Sequence, residues 1–163
     1  MTITLRPETS QDETFIRRLI LETIGIELGA SAWPEPMRSH LLGIQYEGRR
    51  RSYRVGYPET ESSVIQANGE DAGWVVVAAM PNEVYLAEIM VLPELRGRGI
   101  GTAAIRGILA TARAADKPVR LKVNLMNHAA IRLYERLGFR RIDGDEVQQV
   151  MERIVRFCEG PEA

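Results

Sequence analysis

The hydrophobic pattern of this chain changes period across a glycine-rich loop, and that change limits the possible folds more than any other feature. From Ser62 to Val91 the apolar residues follow the two-residue period of strands, and from Ile100 to Ala112 they recur at helical spacing. Three glycines, Gly97, Gly99 and Gly101, alternate along the loop. Because glycines let a ligand approach the backbone, and because the first N–H groups of a helix point outward at its positive end, this segment predicts an anion site, above all for a pyrophosphate.

Two familiar nucleotide-binding loops do not fit this segment. The pattern Gly-x-x-x-x-Gly-Lys-Ser/Thr is missing, so the loop is not a P-loop. Residues 99–104 match Gly-x-Gly-x-x-Gly/Ala, but a dinucleotide fold places that loop after a first parallel strand and an acidic residue at the end of the next one. Here three strand-like segments joined by short turns precede the loop, and the following strand ends at Asn124. A plain tight turn would need neither three glycines nor two flanking arginines.

The remaining pattern predicts eleven elements in the order β-α-α-β-β-β-α-β-α-β-β. The turn Asn68-Gly69 indicates a hairpin between the fourth and fifth elements. The segment 150–155 is compatible with a strand or a helix. The predicted strands are 3–6, 64–67, 74–79, 84–91, 119–124, 139–142 and 147–157. The first predicted helix is capped by Ser10 or Asp12 and runs to about Leu28, and the second follows Trp33-Pro34, continues toward Arg51 and stops before Gly56-Tyr57-Pro58. The other two predicted helices are 100–112 and 129–137.

Length and composition exclude several classes of protein. A chain of 163 residues suits one domain, which we expect to span 1–163. A net charge of −1 offers no general attraction for nucleic acid. With Cys158 as the lone cysteine and only His40 and His128 besides, we expect no internal disulfide and no metal site. The apolar run 74–80 is too short for a bilayer and the first residues do not resemble a secretory signal, so the expected location is cytoplasmic.

Two motifs in this order resemble the GNAT superfamily of acetyl-CoA-dependent N-acetyltransferases. Residues 96–101, Arg-Gly-Arg-Gly-Ile-Gly, are similar to its Gln/Arg-x-x-Gly-x-Gly/Ala motif. Residues 127–139 are similar to its second signature, Asn-x-x-Ala-x-x-Leu-Tyr-x-x-x-Gly-Phe. The resemblance covers nearly the whole chain. It implies an α/β (α+β) fold with a mixed, largely antiparallel sheet of six to seven strands and about four flanking helices.

The resemblance also implies a set of cofactor contacts. The N–H groups from Arg98 to Thr102 would bind the pyrophosphate of acetyl-CoA, and the backbone of the preceding strand would pair with the pantetheine arm. An N–H on that strand would also polarise the thioester carbonyl. Asn127 corresponds to a position that contacts the cofactor, although a helix N-cap is an equally sound physical role for it. The implied cofactor-binding residues are Met90, Val91, Arg96, Gly97, Arg98, Gly99, Gly101, Thr102, Asn127 and Tyr134.

Two residues are predicted to handle protons. Tyr134 matches the general acid of the family, since a phenol stays protonated at neutral pH and can give its proton to a departing thiolate; otherwise it would be a residue at the edge of the core. Glu88 lies two residues before Met90, so both face the same side of a strand, and its carboxylate is our predicted general base. A structural salt bridge is the alternative role for Glu88, and Glu83 and Asn124 are weaker candidates for the base.

A cluster of arginines, Arg49 to Arg51 and Arg54, has two interpretations. Cations at a helix C-terminus oppose the negative end of its dipole, which favours a solvated helix end. In the family that the chain resembles, this helix and its following loop commonly line the acceptor side, so these arginines would instead select an acidic acceptor. His128 is interpreted as a loop residue, and Trp33 and Trp74 as core or lid residues.

Taken together, the residues and the resemblance predict an N-acetyltransferase that moves the acetyl group of acetyl-CoA to a primary amine by direct attack in a ternary complex. The acceptor is expected to be a small molecule or a peptide, with no nucleic acid, membrane or metal involved, and a homodimer would be in keeping with the family. The alternative is a regulatory domain of the same fold that binds CoA without turnover.

Overall fold

The computed structural model describes residues 1–57 and 59–155, and its elements follow the predicted order. The predicted strand end at Phe157, the lone Cys158 and the turn residue Pro58 lie outside the described residues. The helices are α1 (Glu13–Glu27), α2 (Met37–Gly56), α3 (Ile100–Ala114) and α4 (His128–Arg136). The strands are β1 (Ile3–Pro7), β2 (Thr60–Ala67), β3 (Glu70–Ala79), β4 (Val84–Val91), β5 (Val119–Asn124), β6 (Arg140–Gly144) and β7 (Gln148–Arg153).

The described strands form one open sheet of seven in the order β1-β2-β3-β4-β5-β7-β6. Strands β1 to β4 make an antiparallel meander, β5 pairs with β7 and β6 with β7 in the same antiparallel sense, and only β4 and β5 run parallel. This confirms the predicted mixed, largely antiparallel sheet. The parallel pair lies in the middle of the sheet because α3 carries the chain across one face between its two strands.

The helices cover both faces of the sheet. On one face α1 and α2 pack on β3 and β4, where Ile16, Trp74 and Met90 are buried. On the other face α3 and α4 cover a second cluster that includes Ile105 and Leu121. Neighbouring residues of β3 enter different clusters, as expected for a strand buried on both sides. Within the described ranges, no helix has the length and apolar character needed to cross a membrane.

Most boundaries differ from the predicted ones by a few residues, and three of the differences are informative. Helix α2 runs through Gly56 instead of stopping before it, a difference within the one or two residues by which helix ends vary. Helix α4 begins at His128, one residue early, because Asn127 caps it. The ambiguous segment 150–155 is strand up to Arg153, because six residues of β7 pair with β5 and tertiary pairing overrides local propensity.

Candidate active site

A gap opens in the centre of the sheet where β4 and β5 separate. Their parallel pairing covers only three residues and ends at Leu86 and Leu121. In the ladder between β3 and β4, Val76 pairs with Glu88 but Val77 pairs with Leu86, so Ala87 is an extra residue. Such a bulge bends and twists its strand. The rest of β4 therefore leaves β5, which continues along β7, and the backbone of β4 borders the gap.

The alternation of hydrogen bonds along β4 decides which of its backbone groups face the gap. Leu92 N–H donates to the Ala72 carbonyl at 2.9 Å. By the alternation of an antiparallel ladder, Met90 is therefore in a hydrogen-bonded pair with β3, whereas Ile89 and Val91 are in non-hydrogen-bonded pairs. The close approach of Gly73 to β4 is consistent with this hydrogen-bonding pattern, because a Cβ on Gly73 would lie 2.3 Å from the Met90 carbonyl oxygen. Ile89 and Val91 thus direct their backbone groups away from β3. Of the two predicted strand residues, Val91 directs its backbone groups toward the gap and Met90 does not. Ile89, which was not among the predicted residues, also faces the gap.

The glycine loop places the start of α3 beside the end of β4. Gly97 and Gly99 have φ of 75° and 82°, in the left-handed region that favours glycine. Ala103 N–H bonds to Gly99 O at 3.0 Å, so the amides of residues 100–102 have no acceptor within the helix. A Cβ on Gly101 would lie 3.9 Å from Val91 Cγ2. The predicted anion site therefore adjoins the gap.

Both loop arginines are anchored to neighbouring groups. Arg96 Nε donates to Val91 O at 3.1 Å, and its Nη2 donates to Thr23 Oγ1 on α1 at 3.3 Å. Arg98 Nη2 donates to Glu94 O at 3.3 Å. Arg96 thus ties the loop to β4 and α1, and both guanidinium groups lie within the loop region where the anion site is predicted.

Helix α4 carries the two predicted residues of the second motif. Asn127 is its N-cap, with Oδ1 accepting the Ala130 N–H at 3.2 Å, so the capping role is confirmed. Tyr134 is only 8 % exposed and packs edge-on against Phe139, with ring centroids 5.7 Å apart. Burial, with a smaller contribution from the charge of Glu88, raises the pKa of Tyr134 to about 12. Its phenol therefore keeps its proton at neutral pH.

Glu88 approaches the gap from the opposite face of the sheet. Like Met90, it faces the layer of α1 and α2. Oε2 accepts a short hydrogen bond from the Tyr53 hydroxyl, and Oε1 accepts the Ile89 N–H at 3.2 Å. Arg49 Nη1 lies 4.0 Å from Oε2. Burial raises the pKa of Glu88, while the Tyr53 hydrogen bond and the Arg49 charge oppose that rise. A carboxyl with a raised pKa is suited to accept a proton near neutral pH.

The other candidates for the base are engaged elsewhere. Glu83 forms an ion pair with Arg120 at 3.1 Å at the far end of β4. Asn124 Oδ1 accepts the Met126 N–H at 2.8 Å in the turn after β5. Of the two carboxylates, that of Glu88 is therefore the one on the part of β4 that borders the gap.

The arginines of α2 are not all solvated, so the helix-end interpretation is wrong for two of them. Arg49 contacts Glu27 at 3.5 Å in addition to Glu88. Arg50 is largely buried, bonds to Glu8 at 3.0 Å, and stacks over the fully buried Trp74. Arg51 and Arg54 are exposed. The one sequence signal for this arrangement is the helical spacing that places positions 46, 49, 50 and 53 on adjoining faces of α2.

A groove of about 620 Å³ lies between α1, α2 and β2, and the ring of Tyr53 lines it. Three of its charged residues are paired with one another: Arg50 bonds to Glu8 and Glu13, at 3.0 and 3.3 Å. Glu88 does not line this groove. These ion pairs therefore line the groove and hold α2 to the segments that precede and begin α1. The groove is distinct from the gap.

Comparison with known proteins agrees with this architecture. Residues 27–139 match the acetyltransferase (GNAT) family. Over 84 residues the chain is 39 % identical to an uncharacterised N-acetyltransferase of Methanocaldococcus jannaschii, covering 47 % of this chain and 37 % of that protein. Over 82 residues it is 27 % identical to a putative [ribosomal protein bS18]-alanine N-acetyltransferase of Bacillus subtilis, covering 50 % and 54 %. The chain thus spans about half or less of these relatives.

The fold is shared over a longer stretch. The crystal structure of the PaiA N-acetyltransferase of Thermoplasma acidophilum, in complex with coenzyme A, superposes with a TM-score of 0.72. The superposition covers 94 % of this chain and 99 % of that one at 17 % identity, which is a likeness of fold. Because the family match covers more than half of the sequence, and the sheet and its gap agree with it, the chain belongs to the acetyltransferase (GNAT) family.

Proposed function

We propose that this protein transfers the acetyl group of acetyl-CoA to a primary amine within a ternary complex. One observation carries the proposal: a carboxylate on β4, the strand that borders the gap, and a buried phenol on α4 lie within electrostatic range of each other on opposite faces of the sheet. Glu88 comes from the α2 side and Tyr134 from the α4 side, close enough for the charge of Glu88 to raise the pKa of Tyr134. A base and an acid on either side of one carbonyl carbon is what amine acylation by a thioester requires.

Acetyl-CoA is the proposed co-substrate. Its pyrophosphate would accept hydrogen bonds from the amides at the start of α3, from Arg98 to Thr102, with Arg96 and Arg98 supplying positive charge. Its pantetheine arm would lie in the gap as an added strand along Ile89 and Val91, whose backbone groups face away from β3. Asn127, next to α4, would contact the arm at its thioester end while it caps the helix.

The residues around the gap suggest a direct mechanism. The Ile89 N–H would donate to the thioester carbonyl and stabilise the negative charge that develops on its oxygen. The amine lone pair attacks the carbonyl carbon, and Glu88 accepts the proton that the nitrogen loses. The C–S bond then breaks, and Tyr134 gives its proton to the departing thiolate. The products are the N-acetylated acceptor and CoA, and the acceptor is a small molecule or a peptide that carries a primary amine.

The test is a binding measurement followed by an assay of turnover. Calorimetry with acetyl-CoA is expected to show one binding site, and a panel of small-molecule and peptide amines is expected to contain acceptors that release free CoA thiol. Failure to bind acetyl-CoA would overturn the proposal. Tight binding with no thiol release from any amine would instead favour a regulatory CoA-binding domain of the same fold.

The predicted anion site has its own test in Gly99→Ala. The left-handed φ of 82° costs an alanine roughly 1–2 kcal/mol, so the loop should relax out of this conformation and recover it only when CoA binds. We expect the Kd for CoA to rise by roughly fivefold to 30-fold, the equivalent of that strain. Calorimetry of each variant gives the Kd directly.

Gly107→Ala is the matched control. It makes the same substitution on α3, where a Cβ meets nothing within 4 Å. Alanine in a helix interior is favoured over glycine, so this variant should be stabilised by about 0.5–1 kcal/mol and bind CoA like the wild type. Equal CoA affinity in both variants would remove the loop from the binding site.

A further inference from the structure

The two oxygens of the Glu88 carboxylate have different partners from different elements. Oε2 accepts from the Tyr53 hydroxyl, near the end of α2, and faces Arg49 one turn earlier. Oε1 accepts the N–H of Ile89, which faces the gap. We propose that Tyr53 is the positioning residue for Glu88: it anchors one carboxylate oxygen so that the other is held at the thioester. This proposal rests on the proposed function, in which Glu88 accepts the proton from the amine.

Anchoring matters because a glutamate side chain has three rotatable bonds and loses its orientation easily. The thioester carbonyl and the Glu88 Oε1 would compete for the single N–H of Ile89. When the carbonyl takes that N–H, Oε1 is released, but Oε2 stays bonded to Tyr53. The freed oxygen therefore remains beside the reacting carbon and can accept the proton of the attacking amine. In this way binding of the acyl group would expose the base where it is needed.

The hydroxyl of Tyr53 is separable from the packing of its ring. The ring packs edge-on against Trp74, with centroids 5.9 Å apart, a contact that a phenylalanine would keep. Burial and the charge of Glu88 raise the pKa of Tyr53 above its ordinary value, so the hydroxyl remains a donor. Removing the hydroxyl thus removes the hydrogen bond to Glu88 and leaves the ring in place.

The groups around Glu88 determine the direction of the pH effect. Tyr53 and Arg49 on α2 favour the charged carboxylate, while Glu27 on α1 disfavours it. Tyr85 on β4 and Tyr134 on α4 also lie within electrostatic range of Glu88. Because the Tyr53 hydrogen bond lowers the Glu88 pKa, its loss must raise that pKa. A base with a raised pKa is protonated at higher pH, so the acidic limb of the rate profile should move upward.

The experiment compares Tyr53→Phe with Tyr46→Phe in the full chain. Tyr46 is a matched control: it lies on α2, is buried, and donates a hydrogen bond to a carboxylate, Glu13, away from the gap. For Tyr53→Phe we expect kcat to fall roughly 10-fold to 100-fold, the worth of a hydrogen bond to a charged group, with KM for acetyl-CoA unchanged. The acidic limb should move to higher pH. Tyr46→Phe should keep the wild-type limb.

A second readout does not depend on turnover. Carbon-13 NMR titration of the Glu88 carboxyl should give a higher pKa in Tyr53→Phe and in Arg49→Gln than in the wild type, and an unchanged pKa in Tyr46→Phe. If the wild type is active and Tyr53→Phe has the wild-type Glu88 pKa and the wild-type acidic limb, the positioning role of Tyr53 is overturned. That result would leave the proposed function intact. A shifted Glu88 pKa in a protein that acetylates no amine would overturn the proposed function, and with it the catalytic meaning of the contact.

Discussion

Replacing Glu88 by Gln is expected to lower kcat by about 10²-fold to 10⁴-fold, the usual contribution of a general base. An amide keeps the size of the side chain and still accepts the Tyr53 hydrogen bond, but it cannot take the amine proton at any pH. The acidic limb caused by Glu88 should vanish from the pH–rate profile. The acidic limb can also come from protonation of the acceptor amine. Assays with two acceptors of different basicity separate the two causes, because a limb due to the amine shifts with the pKa of the acceptor and a limb due to Glu88 does not.

Glu83→Gln is the control for this substitution. It changes the other glutamate of this segment, just before β4, whose partner is Arg120 and not a group at the gap. We expect it to retain the wild-type kcat and the wild-type acidic limb. CoA affinity by calorimetry should be unchanged in both variants, which would separate a loss of chemistry from a loss of binding. A Glu88→Gln enzyme that kept the wild-type acidic limb would remove Glu88 from the mechanism.

Replacing Tyr134 by Phe is expected to lower kcat by roughly 10²-fold to 10³-fold, because the thiolate would then leave without a positioned proton donor. With a pKa of about 12, Tyr134 remains protonated below that pH, so its own ionisation should not reduce the wild-type rate between pH 7 and 10. The loss in Tyr134→Phe should therefore be about equal at every pH in this window. Steady-state assays of thiol release across the window measure it.

The leaving group offers a sharper check on Tyr134. An acetyl thioester of a more acidic thiol needs less protonation as it departs, so it should recover part of the Tyr134→Phe loss. The ring stays packed on Phe139, and we expect the melting temperature to change little. Tyr46→Phe, which removes a buried hydroxyl far from α4, should show no such dependence on the thiol. Unchanged acetyl transfer in Tyr134→Phe would exclude the residue as the acid.

Local signals in the sequence were sufficient for the elements and for their order. The predicted bounds of β4 and β5 agree with the structure, because apolar runs flanked by prolines and turns are encoded within a few residues. The loop 96–101 was recognisable for the same reason. Its glycines stand at alternate positions within a few residues, and two of them have positive φ. The capping role of Asn127 was also predictable, since an N-cap acts on an amide three residues away.

The backbone geometry and the side-chain contacts of the candidate site could not be predicted from the sequence. The bulge at Ala87 has no residue signature, since it arises from the pairing of β4 with β3, and it decides that Ile89 and not Met90 borders the gap. The contact between Tyr53 and Glu88 joins residues 35 positions apart. Arg49 and Arg50 were interpreted as solvated because their partners, Glu27 and Glu8, belong to other elements.

The sequence by itself determined the alternation of strands and helices, the glycine loop at the start of α3, and the presence of a carboxylate on β4 and a phenol in the second motif. Only the tertiary structure decided where β4 and β5 part, which backbone groups border the gap, and that Glu88 and Tyr134 lie within electrostatic range of each other on opposite faces of the sheet. The physical reason is distance along the chain: periodicity and capping act within one or two turns, whereas a gap in a sheet and the pKa of a buried carboxyl depend on residues that only folding brings together.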